Sequence, residues 1–144
     1  MATRLSSETI HASCVAIGDV AVLIEGRSGT GKSDLALRLI DRGAVLVSDD
    51  YTALTRKDGK LVASAPANLA GKLEVRGLGI VEMPHVDGIP VALIVAIVEA
   101  PPRMPGPGRR RTVAGVEIRE VALPALEPTS PIKVELALKL RQAS

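Results

Sequence analysis

Eight consecutive residues, Gly26, Arg27, Ser28, Gly29, Thr30, Gly31, Lys32 and Ser33, match the spacing G-x-x-x-x-G-K-[ST] in full. Each residue type has its own task in holding a polyphosphate. Glycine tolerates the positive φ that lets successive backbone N–H groups converge on phosphate oxygens. Lys32 brings positive charge to the β- and γ-phosphates, and the Ser33 hydroxyl can ligate Mg²⁺. The pattern therefore points to a nucleoside triphosphate. Further along, an apolar run closes on two adjacent carboxylates, Asp49 and Asp50. Acid in that position can serve the metal and γ-phosphate on one side and an acceptor on the other. Successive strand residues face opposite ways, so the two carboxylates have different roles if the strand runs through both.

Such a loop needs a strand before it and a helix after it. Residues 20–24 form a short apolar, β-branched run that reads as a buried strand. From 33 to 40, Leu35, Leu39 and Ile40 share one helical face, and Gly43 stops the helix. The run 44–50 is expected as a strand beside the loop strand. Ahead of the loop, 9–17 reads as a strand that Gly18 and Asp19 turn into a hairpin with 20–24. His11 opens that first strand, and taken alone it reads as a core or edge histidine.

Beyond the carboxylates, Asp58 and Gly59 mark a hairpin between 51–56 and 60–64. A short helix is expected over 65–70. Residues 72–81 combine Glu74 and Arg76 with Gly77 and Gly79. That mixture reads either as a functional loop or as an ion-paired surface loop, and the residues leave both open. The run 91–98 is apolar throughout and reads as a fully buried central strand. Residues 100–111, rich in proline and arginine, read as a loop able to close over phosphates or meet an acidic partner, with Arg109, Arg110 and Arg111 solvated. Residues 112–123 return to the sheet. Ser130 reads as an N-cap with Pro131 in the first turn, and 132–140 as a helix. The class is α/β.

With 144 residues the chain suits one domain. A net charge of +2 does not suggest a nucleic-acid partner, and a single aromatic, Tyr51, argues against a base-stacking surface. One cysteine, Cys14, excludes an internal disulfide and a cysteine-based zinc site, and reads as a small buried strand residue. The longest apolar run falls far short of the about 18 residues that cross a bilayer. The first residues hold Arg4 but no apolar signal core, so no membrane partner is expected and the expected location is cytoplasmic. There is no N-K-x-D base-reading motif, which disfavours a GTPase.

Three stretches taken together carry a family resemblance: His11 and its strand leading into the loop Gly26 to Ser33; Asp41, Arg42, Gly43, Ala44, Val45, Leu46, Val47, Ser48, Asp49, Asp50; and Leu73, Glu74, Val75, Arg76, Gly77, Leu78, Gly79, Ile80. In this order they resemble the C-terminal catalytic domain of HPr kinase/phosphorylase, in its short bacterial form. That enzyme acts on a serine of the phosphocarrier protein HPr. The resemblance implies a P-loop-containing kinase domain over 1–144 with a mixed β-sheet like that of phosphoenolpyruvate carboxykinase, with no N-terminal regulatory domain ahead of it. It implies ATP and Mg²⁺, an HPr-like partner within phosphotransferase-system regulation, and a homo-oligomer of unspecified number. By position, His11 matches an active-site histidine, and Lys32 and Ser33 match the phosphate lysine and magnesium serine. Asp50 matches the carboxylate that takes the serine proton and returns one during phosphorolytic dephosphorylation, with Asp49 as its neighbour. Glu74 matches a second magnesium-side acid, and Arg103 a catalytic arginine. Two other readings fit the loop: a small-molecule kinase, and a non-catalytic ATP-sensing regulatory module.

Overall fold

The computed structural model of the chain describes residues 6–104 and 108–140. The surroundings of Arg4 and the middle of the loop expected at 100–111 lie outside the described residues. The elements run β1 (Ser7–Ile10), β2 (Ala12–Ile17), β3 (Val20–Glu25), α1 (Lys32–Asp41), β4 (Val45–Ser48), β5 (Thr52–Lys57) and β6 (Lys60–Ser64). A single 3-10 turn (Ala67–Leu69) precedes β7 (Lys72–Val75), β8 (Gly79–Glu82), β9 (Ile89–Ile97), β10 (Arg109–Val113), β11 (Val116–Leu123) and α2 (Ser130–Leu140). Among the described residues, nine strands form one mixed sheet whose main path is β1-β5-β6-β9-β3-β2-β4, with β11 joining β9 and β10 joining β11. Strands β7 and β8 pair separately. No helix of the described residues is long and apolar enough to cross a membrane.

Period-two alternation divides the interior into two layers. Ala12, Cys14 and Ala16 of β2 and Ala21 and Leu23 of β3 pack with Leu54, Leu61 and Ile118 on one face. The intervening Val15, Val22 and Ile24 pack on the other face with Leu35 and Leu39 of α1, Leu73 of β7, and Val134 and Leu138 of α2. Strands buried on both faces have to be apolar at consecutive positions, which is why 20–24 and 91–97 carry near-continuous runs. Helix α1 ends as expected: Gly43, at φ 112°, donates to the Ile40 carbonyl at 3.0 Å and Ala44 to the Leu39 carbonyl at 3.0 Å. This is the paired closure that a left-handed glycine permits.

Four expectations are corrected. Strand β4 does not lie beside β3, because the local β2–β3 hairpin fills one edge of β3 and parallel β9 fills the other. Residues 109–111 open strand β10 and not a loop; Arg109 and Arg110 are exposed as expected, whereas Arg111 is half-buried and donates to Glu25 and Glu120. Burial works against the Arg111 charge, yet its bonds to Glu25 and Glu120 hold its pKa above the ordinary arginine value. Ser130 spends its hydroxyl on the Pro124 carbonyl, and the first α2 bond runs from Lys133 N–H to the Thr129 carbonyl at 2.9 Å. The cap position is therefore Thr129. The expected helix at 65–70 is only the 3-10 turn.

Candidate active site

Strand register assembles this site. The strand expected over 9–17 breaks at His11, where the chain changes partners: Ile10 pairs with Thr52 of β5, whereas Ala12 pairs with Glu25 of β3. Because Ala12 faces the last residue before the phosphate loop, His11 stands at the mouth of that loop. On the other edge of β2, Cys14 pairs with Ser48 and Val15 with Leu46, leaving Val47 as the bulged residue. Antiparallel continuation past Cys14 and Ser48 sets Ser13 against Asp49. A bulge in this position re-aims the end of a strand, and here that end carries the two carboxylates.

Strand β4 stops at Ser48, so the carboxylates diverge through a turn and not through a continuing strand. Asp50 has φ 70°, and the Tyr51 N–H reaches back to the Asp49 carbonyl at 2.8 Å. A three-residue turn with positive φ at its centre is strained for any residue but glycine, and aspartate is among those that tolerate it best. The Ser48 hydroxyl donates to the Tyr51 carbonyl and the Thr52 hydroxyl to the Ala12 carbonyl at 2.8 Å, bracing the turn from both ends. Backbone strain of this kind persists where the surroundings over-determine it, commonly at functional sites.

The two acids consequently occupy different environments. Asp49 is only 4% exposed, and its Oδ1 accepts from the Ser13 hydroxyl at 2.7 Å and the Ser33 hydroxyl at 2.8 Å. Its Oδ2 accepts the Glu74 backbone N–H at 3.0 Å, tying β7 to the loop helix. Asp50 faces the cleft, with its Oδ1 3.0 Å from Nε2 of His11. The His11 ring stacks on Tyr51, centroids 5.0 Å apart and planes 29° from parallel.

The phosphate loop itself is closed on its own groups. Lys32 Nζ donates to the carbonyls of Gly26 at 2.8 Å and Arg27 at 3.1 Å, and the Thr30 hydroxyl to Arg27 at 2.6 Å. Gly29 and Gly31 have φ of 82° and 99°. No side chain caps the α1 N-terminus at Gly31, so first-turn N–H groups are left for an anion.

These residues border one open cleft of about 420 Å³, lined by His11, Ser28, Gly29, Gly31, Lys32 and Ser33 together with Asp50, Glu74, Arg76 and Leu126. Arg103 is exposed and is not among the lining residues. The stretch 72–81, left open between two readings, is a regular β7–β8 hairpin whose Glu74, Val75 and Arg76 border the cleft. Sequence reasoning did not single out Ser13, Tyr51 or Leu126 as site residues, and it noted Arg76 within the 72–81 stretch without giving it a role. Ser13 had a usable signal, being a polar residue in an apolar strand at the alternate position from His11.

The family described as HPr Serine kinase C-terminal domain matches residues 3–99. Curated proteins named HPr kinase/phosphorylase are similar: that of Clostridium tetani is 45% identical over 87 residues, 60% of this chain and 28% of its own length. A Clostridium botulinum relative is 41% identical over 90 residues, 62% of this chain and 30% of its own. The chain thus spans less than a third of the length of these relatives. A solved structure of the Hpr(Ser) kinase/phosphatase from Coxiella burnetii superposes with a TM-score of 0.82 at 28% identity, covering 94% of this chain and 97% of that one.

Proposed function

We propose a protein-serine kinase: the chain belongs to the HPr serine kinase C-terminal domain family, and its cleft brings a phosphate loop to a carboxylate poised for an acceptor hydroxyl. The observation that carries this reading is the separation of the two acids, Asp49 bonded to Ser33 and Asp50 to His11 at the open side of the cleft. The donor is ATP, bound through the amides of Gly26 to Ser33 and through Lys32, which exchanges its loop carbonyls for phosphate oxygens. The acceptor is the serine of an HPr-like phosphocarrier protein, and the chain works in a bacterial cytoplasm as part of phosphotransferase-system control.

Ser33 and Asp49, 2.8 Å apart, with Glu74 bordering the same cleft, are hard oxygen donors of the kind that hold Mg²⁺ together with substrate phosphates. Bound there, Mg²⁺ would neutralise charge on the β- and γ-phosphates. Asp50 takes the proton of the attacking serine hydroxyl, needing only hydrogen-bond reach of it. His11 orients Asp50 and shares the proton, and Tyr51 keeps the imidazole in place by stacking. Phosphoryl transfer draws chiefly on positioning and charge, so loop amides, Lys32 and Arg76 supply the stabilisation at the equatorial oxygens. In reverse, an inorganic phosphate oxygen attacks the phosphoserine phosphorus to form pyrophosphate, the bond to the serine oxygen breaks, and the protonated Asp50 gives its proton to that departing oxygen.

The test is transfer of label from γ-labelled ATP with Mg²⁺ to purified HPr, followed by identification of the modified residue. Serine label on HPr is expected. Nucleotide binding without label on HPr would favour a sensor module or a different acceptor.

A further inference from the structure

We propose that Leu126, on the segment between β11 and α2, forms an apolar shelf for the nucleoside of the bound triphosphate. This rests on the nucleotide reading given above. The sheet order β9-β3-β2-β4 places the loop strand β3 between two flanks. On the β2–β4 flank stand His11, Asp49 and Asp50, so the transferred phosphoryl group lies there and the rest of the donor runs towards the other flank. That other flank is where β9 and β11 end, joined by the Val98 N–H and the Leu123 carbonyl at 3.0 Å. From Leu123 the chain crosses the C-terminal end of the phosphate loop. A Cβ built on Gly31 would lie 2.7 Å from Leu126 Cδ2 and 3.2 Å from Ala125 Cβ. Glycine at 31 thus permits both the φ of 99° and the approach of this segment.

The segment is clamped and not loosely draped. Arg38 of α1 donates to the Glu127 carbonyl at 3.0 Å and to the Ala125 carbonyl, while Asp34 holds the same guanidinium at 3.0 Å. The Ser130 hydroxyl fixes the Pro124 carbonyl, and Lys133 sits 3.6 Å from Glu127. Despite this anchoring Leu126 is 68% exposed and belongs to neither core layer, yet it borders the cleft beside Gly29 and Gly31. A solvent-facing leucine carried on this anchored backbone, at the nucleoside end of a phosphate cradle, offers an aliphatic face to a flat ring or ribose. Tyr51, the chain's one aromatic residue, stacks on His11 at the opposite flank and cannot stack on the base. Among the described residues, the stacking face this end offers is therefore aliphatic.

The experiment is calorimetric titration of the full chain with Mg-ATP and, separately, with Mg-tripolyphosphate, comparing wild type with Leu126→Ala and Leu126→Met. Removing most of an apolar contact while keeping the phosphate cradle should weaken ATP about five- to ten-fold. Tripolyphosphate affinity should not change, and Leu126→Met should retain ATP affinity. Equal ATP affinity in wild type and Leu126→Ala, or an equal loss for both ligands, would overturn the shelf while leaving the kinase reading intact. A wild-type chain that binds tripolyphosphate but gains nothing from the nucleoside overturns it too. Failure to bind either ligand would overturn the kinase reading and the shelf together.

Discussion

Replacing Ser13 by alanine tests the claim that Asp49 is a fixed, charged element of the site. The Ser13 hydroxyl is fully buried and lies 2.7 Å from Oδ1 of a carboxylate that is itself 4% exposed. A hydrogen bond to a charged group contributes roughly 1.5–3 kcal/mol. The Asp49 carboxylate would still accept from the Ser33 hydroxyl and the Glu74 N–H, so it is not stranded and the loss falls at the lower end, about 2 kcal/mol. Thr52 supplies the control. Its hydroxyl is equally buried and donates at 2.8 Å, but to the neutral Ala12 carbonyl, so Thr52→Val should cost about 1 kcal/mol. Urea unfolding of the three proteins, with slopes checked for equality, gives both differences directly. Thermal midpoints should fall by about 6 °C for Ser13→Ala and about 3 °C for Thr52→Val at this chain length. If Ser13→Ala costs no more than Thr52→Val, the idea that Ser13 holds an ionised Asp49 is refuted.

Two further outcomes are expected. Gly31→Ala should destabilise the fold by about 2 kcal/mol, chiefly because a Cβ is disfavoured at left-handed φ; adding Leu126→Ala should recover little, and substantial recovery in urea unfolding would shift the blame to crowding. Cys14 is fully buried, and burial pushes its thiol well above the ordinary range. It should therefore resist a thiol-specific chromogenic reagent in the native chain at pH 8 and react at once in denaturant; rapid native reaction would contradict the packing of β2.

Local signals made much of this molecule legible. The phosphate loop, the glycine that ends α1, the Asp58–Gly59 turn and the buried run of β9 all declare themselves within a few residues. What stayed hidden depends on contacts remote in sequence. Nothing near residue 111 announces that Arg111 reaches Glu25, 86 residues away, so its arginine run reads as a solvated loop. The insertion of β2 between β3 and β4 follows from edge competition in the sheet, which hydrophobic pattern alone does not encode. The positive φ of Asp50 is a tertiary outcome, and with it the divergence of two adjacent acids. His11 gained meaning from family resemblance, and its place beside Asp50 follows from strand register. Leu126 carries no motif and is visible only as an exposed leucine pinned over a glycine.

The proposed transfer hinges on Asp50 as the group that takes the acceptor proton. The direct measurement is transfer from γ-labelled ATP to HPr by wild type and Asp50→Asn, with nucleotide affinity and unfolding measured on the same preparations. Asparagine tolerates positive φ nearly as well as aspartate and keeps the shape, so ATP affinity and stability should be close to wild type while transfer drops at least about 100-fold, the scale set by loss of a positioned base. Transfer by Asp50→Asn at close to the wild-type rate would contradict the assignment.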